Sequence, residues 1–118
     1  MGFAKCYDVV SMVLEEASSR FGVLWEVDAE KQNVLKRCCE IIDSFVPEFD
    51  GIAFDVEVDE ITMDIRVSLI CRDIIIENSS SAIYKVIGHT KRFAIKTADE
   101  EDAVQVDFVF AGIWNKAF

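Results

Sequence analysis

The feature of this sequence that most restricts its fold is an alternation of apolar and polar residues, from residue 52 to 71, whose parity changes once. Apolar residues occupy even positions up to Val58 and odd positions from Ile61 onward. A period of two is typical of a β-strand with one buried face. A two-residue connection at Asp59-Glu60 would make Val58 face Ile61, so that both apolar sets lie on one side of a hairpin. The sequence therefore predicts a β-hairpin in a single register, because a slip of one residue would expose its apolar face.

The polar face of this hairpin concentrates acidic residues. The predicted register places Asp55 opposite Asp64 and Glu57 opposite Thr62. Cross-strand pairs change stability by only about 1 kcal/mol or less, so a solvated outer face explains the clustering without any function. A Ca²⁺ site at these carboxylates is disfavoured because the ion takes roughly six or more oxygen ligands, which a flat strand surface does not supply. We also expect no catalysis here, since outward carboxylates lack the pocket that separates the pKa values of an acid and a base.

Two amphipathic helices are predicted before the hairpin. Apolar residues recur every three or four positions from about residue 3 to 20, and Gly22 suits the end of that helix. A second apolar stripe runs from Val34 to Phe45, with Asp28 as a candidate N-cap and Pro47 as the stop.

Further elements are predicted after the hairpin. Residues 74–76, all isoleucine, predict an extension or a restart of the strand. Ser79 and Gly88 bracket a short helix, although residues 82–88 also fit a strand. Two alternating segments, around Phe93 and from Val104, predict a second hairpin. Apolar residues on both faces of the last strand predict that it lies inside the sheet.

This order of elements predicts one α+β domain covering residues 1–118. It consists of two N-terminal helices and an antiparallel four-stranded sheet, formed by a β-hairpin, a short helix and another β-hairpin, with the helices packed on one face. At 118 residues and 52% hydrophobic content, the chain is long and apolar enough to bury a core. The four cysteines include no C-x-x-C pair, and three of them follow the apolar stripes, so we expect free, buried thiols and no zinc site.

A net charge of −10 excludes several classes of partner. Non-specific binding to nucleic acid and binding to anionic membranes both depend on Lys and Arg, so we expect neither. The longest apolar run, residues 108–114, is too short to span a membrane, and Asp8, Glu15 and Glu16 interrupt any signal-peptide core. We predict a soluble cytoplasmic protein with no bound cofactor or metal.

Charge is unevenly distributed along the chain. Nine acids and no base lie between Cys38 and Ile65, whereas four bases, one histidine and no acid lie between Asn78 and Ala98. Such segregation can be neutralised within the chain, across a homodimer or by a partner. The basic segment suggests an anion-binding helix start, although no phosphate-loop motif accompanies it. The candidate anion ligands are Ser80, Ser81, Lys85, Lys91 and Arg92.

Three functional hypotheses follow from these patterns. The leading one is a non-enzymatic protein-interaction module, of the adaptor, inhibitor, immunity or chaperone type, in which Asp55, Glu57 and Asp64 contact a basic surface on a partner protein. The first alternative is a protein that binds a small ligand or phosphate through residues 79–96. The second alternative is a self-associating structural protein, a homodimer with an apolar interface. The candidate interface residues are Val9, Met12, Val109, Ile113 and Trp114.

Overall fold

The computed structural model describes residues 5–24, 29–45, 53–98, 103–112 and 115–116. The described helices are α1 (Cys6–Phe21), α2 (Ala29–Phe45), α3 (Asp73–Asn78) and α4 (Ser80–Ile87). The described strands are β1 (Val23–Leu24), β2 (Ala53–Val58), β3 (Ile65–Arg72), β4 (Arg92–Thr97), β5 (Ala103–Phe110) and β6 (Asn115–Lys116). The predicted α+β class, with two N-terminal helices before an antiparallel four-stranded sheet, is confirmed.

Helices α1 and α2 form where the apolar spacing predicts them. Gly22 ends α1 in the left-handed conformation, with φ of 67°, and its N–H donates to the Ser18 carbonyl. A residue of α2 stabilises the start of α1, because the Asp43 carboxylate accepts a hydrogen bond from the backbone N–H of Cys6 at 3.0 Å. The predicted cap Asp28 and the predicted stop Pro47 lie outside the described residues.

The larger sheet has the strand order β2-β3-β5-β4, and all neighbouring strands are antiparallel. β5 is therefore an interior strand, as its two apolar faces predicted. Strands β1 and β6 form a separate two-stranded sheet.

One face of the larger sheet, its inner face, packs against α1, α2 and α4 in a single core. The ring centroids of Phe93 and Phe108 lie 5.3 Å apart within it. Burying each large apolar side chain contributes about 1.5–3 kcal/mol, so this packing holds the helices on the inner face. The sheet supplies Val56, Ile65, Val67, Leu69, Val106, Phe108 and Phe110, and the helices supply Val10, Leu14, Leu35, Ile42, Ile83 and Val86.

The segment that joins the two halves of the sheet contains two consecutive helices, α3 and α4. The strand predicted for residues 74–76 was wrong, because they lie in α3. β3 ends at Arg72, opposite Ala103, and α3 then brings Ile76 back against the core. The chain is therefore helical here, with Ile76 against the core, despite the local strand preference of three isoleucines. The helix predicted after Ser79 is confirmed as α4, which excludes the alternative strand.

Candidate functional site

The hairpin that carries the predicted acidic face does not pair in the predicted register. A loop of residues 59–64 joins β2 to β3 in place of a two-residue turn. The observed cross-strand pairs are Asp55 with Ser68, Glu57 with Arg66, and Val58 with Ile65. The predicted contact between Asp55 and Asp64 was therefore wrong, and so was the predicted contact between Val58 and Ile61.

The longer loop is stabilised by hydrogen bonds to Asp59. The carboxylate of Asp59 accepts the backbone N–H groups of Thr62 and Ile61 at 2.9 and 2.8 Å, which lowers the pKa of Asp59. Its carbonyl accepts the N–H of Met63, which adopts φ of 62°. Ile61 is 93% exposed as a result. The hydrogen bonds of this loop stabilise the chain by more than the exposure of Ile61 destabilises it. The alternation of apolar and polar residues does not reveal this difference.

Asp64 lies at the end of this loop, and it is buried rather than on the acidic face. Its carboxylate accepts hydrogen bonds from Lys91 Nζ at 2.8 Å and from the N–H of Gly112 at 3.1 Å. Burial alone would raise the pKa of Asp64, but hydrogen bonds with Lys91, Thr62 and Gly112 outweigh it, so the pKa is lowered. Asp64 therefore ties the loop to the ends of β4 and β5, where it is not available to a partner.

Asp55 and Glu57 do lie on the outer face of the sheet, the face opposite the core, and both are exposed. Glu57 forms an ion pair with Arg66 on β3. Asp55 takes part in none of the ion pairs among the residues that the structure describes. Among the described residues, the exposed acids of the outer face therefore lie on the β2 edge.

The opposite edge of the outer face is basic, and its charge is partly neutralised from β5. Lys96 on β4 reaches the buried carboxylate of Asp107 at 3.3 Å. The same carboxylate accepts hydrogen bonds from Ser68 Oγ at 2.7 Å and from Gln105 Nε2 at 3.0 Å. Burial alone would raise the pKa of Asp107, but these three partners outweigh it and lower the pKa.

A groove of about 380 Å³ lies between α1 and the edge strand β2. Arg20 is the one cation among its described lining residues, and it pairs with Glu60 at 3.3 Å. We call this feature the acidic groove. Its apolar lining consists of Val13, Ala17, Phe21, Val56 and Val58, and its charged lining of Glu16, Arg20, Glu57 and Glu60.

The sequence analysis missed Glu16 and Glu60 as members of this site. Glu57 alone was identified, because it lies on the predicted polar face of a strand, whereas Glu60 was assigned to the turn. Glu16 comes from α1, and only the packing of α1 beside β2 brings the two elements together. No local sequence signal connects them.

The residues predicted to bind an anion do not converge on one site. Ser80 and Ser81 begin α4, whereas Lys91 and Arg92 follow its other end, roughly 10 Å away along the helix. Lys91 is engaged by Asp64, and Lys85 lies in the last turn of α4. The anion-binding hypothesis therefore gains no support from the geometry.

Of the residues predicted for a dimer interface, the three that the structure describes do not form one patch either. Met12 is 64% exposed on α1, whereas Val109 is buried on the outer face of the sheet, away from α1. Val9 packs partly against the core. Ile113 and Trp114 lie outside the described residues.

Three of the four cysteines lie where α1 meets α2, and all four are free and buried, as predicted. A hydrogen bond with Cys39, together with burial, raises the pKa of Cys6, and burial raises the pKa of Cys38 to about 11. Thiols with raised pKa values stay protonated at neutral pH and are poor nucleophiles. Within the described ranges, no group of three or more metal-ligating side chains comes together.

Comparison with protein-family models, with curated proteins and with solved structures found no match for this chain. None of the described helices has both the length and the apolar content needed to cross a bilayer.

Proposed function

We propose that this protein is a non-enzymatic interaction module that binds a basic partner protein through the acidic groove. The observation that carries this proposal is one groove whose lining combines apolar residues with three glutamates, Glu16, Glu57 and Glu60, of which Glu57 directs its side chain to the outer face at the rim. A partner can bury apolar side chains there while its Lys or Arg residues meet the carboxylates. Asp55, on the same face of β2 as Glu57, extends the acidic surface beyond the groove.

The cations already present do not block such a partner. Arg20, Arg66, Glu57 and Glu60 have side chains between 41% and 66% exposed. Exposed ion pairs contribute about 0–1 kcal/mol each, so a partner's basic residues can replace them at little cost. Complementary charge mainly raises the association rate and the selectivity for the correct partner. Association should therefore weaken as salt is added.

The setting that we propose is the cytoplasm. All four thiols are free and buried, which fits a compartment where disulfides are rare. Adaptor, inhibitor, immunity and chaperone roles all use binding surfaces of this kind, and identification of the partner would separate them.

The test uses affinity capture from a lysate of the native organism, followed by calorimetry with the purified partner. The groove variant is Glu16→Lys/Glu57→Lys, and the control is Glu40→Lys/Glu77→Lys, two exposed acids outside the groove with the same change in charge. We expect the partner to bind the wild type and the control, more weakly at high salt, and to bind the groove variant at least about tenfold more weakly. Equal binding to all three folded proteins would refute the proposal.

A further inference from the structure

Among the residues that the structure describes, the edge of the sheet beside the acidic groove is unpaired. β2 pairs with β3 on one side, and no other strand of the described chain pairs with it. Along an antiparallel strand, successive residues direct their N–H and C=O groups alternately toward and away from the neighbouring strand. The backbone N–H of Asp59 donates to the Asp64 carbonyl at 2.9 Å, so the backbone groups of Asp59 point toward β3. By alternation, Val56 and Val58 direct their backbone groups away from β3, toward the unpaired edge.

The side chains next to this edge also alternate. Val56 and Val58 point to the inner face and line the groove beside α1. Asp55 and Glu57 point to the outer face. A further strand beside β2 would continue the same pleat, with one set of side chains entering the groove between α1 and β2 and the other set lying beside the two carboxylates.

We infer that the acidic groove binds an extended segment of its partner as an additional strand beside β2, and that this segment alternates apolar with basic residues. The inference rests on the proposed function and specifies how the groove binds. Main-chain hydrogen bonds to Val56 and Val58 hold the segment. Its apolar side chains fill the groove beside Val13 and Ala17, and its Lys or Arg side chains meet Asp55 and Glu57. The 6 residues of β2 set the length of the segment.

The other edge of the sheet provides a comparison within the same molecule. β4 carries Arg92 and Lys96 on the outer face, so its edge repels a basic segment. One competing occupant is β4 of a second copy, because β4 carries Arg92 and Lys96 on one face and Phe93 and Ile95 on the other, and Ile95 is 48% exposed. In that case β4 of a second copy would pair with β2, and the contact would be head-to-tail.

The probe is the synthetic peptide KVKVKVK, compared with KKKKVVV, which has the same composition and charge but no alternation. Two further copies of KVKVKVK carry backbone N-methyl groups, one on every valine and the other on every lysine. Successive residues of a bound strand point their N–H groups in opposite directions, so only one methylated copy should lose binding. Affinity is measured by calorimetry. Amide hydrogen exchange, followed by NMR, reports which backbone groups become protected.

We expect KVKVKVK to bind at least about tenfold more tightly than KKKKVVV, and one methylated copy to bind at least about tenfold more weakly than the other. The amides of Val56 and Val58 should become protected, while those of Phe93 and Ile95 on the β4 edge should not change. Binding of KVKVKVK to Glu16→Lys/Glu57→Lys should be lost.

Equal, salt-dependent binding of KVKVKVK and KKKKVVV, lost in the groove variant, would overturn strand addition while leaving the proposed function intact. No binding of KVKVKVK would also overturn strand addition, and the proposed function would then be decided by the purified partner alone. Concentration-dependent self-association that Lys96→Glu abolishes would assign the β2 edge to β4 of a second copy and overturn the inference.

Discussion

Replacing Asp64 with alanine tests whether this residue holds the β2–β3 loop in place. The side chain is 8% exposed, and its carboxylate accepts hydrogen bonds from Lys91 Nζ and from the N–H of Gly112. Lys91 is 49% exposed and can be resolvated, so losing its ion pair costs about 1 kcal/mol or less. A partly buried N–H left without an acceptor costs about 1–3 kcal/mol. Asp64→Ala should therefore lower the free energy of unfolding by about 1–4 kcal/mol.

Urea unfolding followed by circular dichroism measures this change. Asp64→Asn keeps the shape and an acceptor for Gly112, so it should cost only about 1 kcal/mol. Asp55→Ala is the matched control, because Asp55 is an exposed aspartate of the same hairpin, and it should change stability by less than about 0.5 kcal/mol. If Asp64→Ala were as harmless as Asp55→Ala, the anchoring role derived from these hydrogen bonds would be refuted.

Other consequences of the structure can be measured with the same methods. A Cβ on Gly112 would lie 2.7 Å from the Met63 carbonyl oxygen, so Gly112→Ala should cost about 1–3 kcal/mol in urea unfolding. Gly88→Ala is the control, because a Cβ there would make only ordinary van der Waals contacts. If Gly88→Ala lowered the free energy of unfolding as much as Gly112→Ala, the clash at Gly112 would be contradicted. Folding lowers the pKa values of Asp64 and Asp107, so the stabilisation that these carboxylates contribute is present above their unfolded pKa of about 4 and is lost as pH falls through their folded pKa values. The stability difference between wild type and Asp107→Asn should accordingly shrink between neutral and acidic pH, and a constant difference would argue against this linkage. All four cysteines are buried, so Ellman's reagent should modify them rapidly only after unfolding in guanidinium chloride, and fast labelling of the native protein would contradict their burial.

Much of the fold was predictable because periodicity reports which face of an element is buried. The apolar spacing identified α1, α2 and α4, and alternation identified four strands. The change of parity correctly placed Val58 and Ile65 on the same side of the sheet, although the predicted register was wrong. Parity distinguishes only odd from even spacing, so a two-residue turn and the observed loop of residues 59–64 satisfy it equally well.

The candidate site was less predictable because its members are distant in sequence. Asp55 and Glu57 were identified from their own strand. Glu60 meets Arg20 across 40 positions of the chain, and Asp64 meets Lys91 and Gly112 across 27 and 48 positions. Local charge patterns assigned Asp64 to the acidic surface, whereas tertiary packing buried it.

The sequence by itself determined the class of the domain, the buried faces of α1, α2, α4 and the strands of the larger sheet, and the acidic character of the hairpin. Those properties follow from the order and spacing of residues within single elements. The tertiary structure alone decided that α1 lies beside the β2 edge, that an apolar groove with an acidic rim forms there, and that Asp64 is an anchor. These features depend on contacts between separate elements, whose energies come from packing and from hydrogen bonds that form only when the chain has folded.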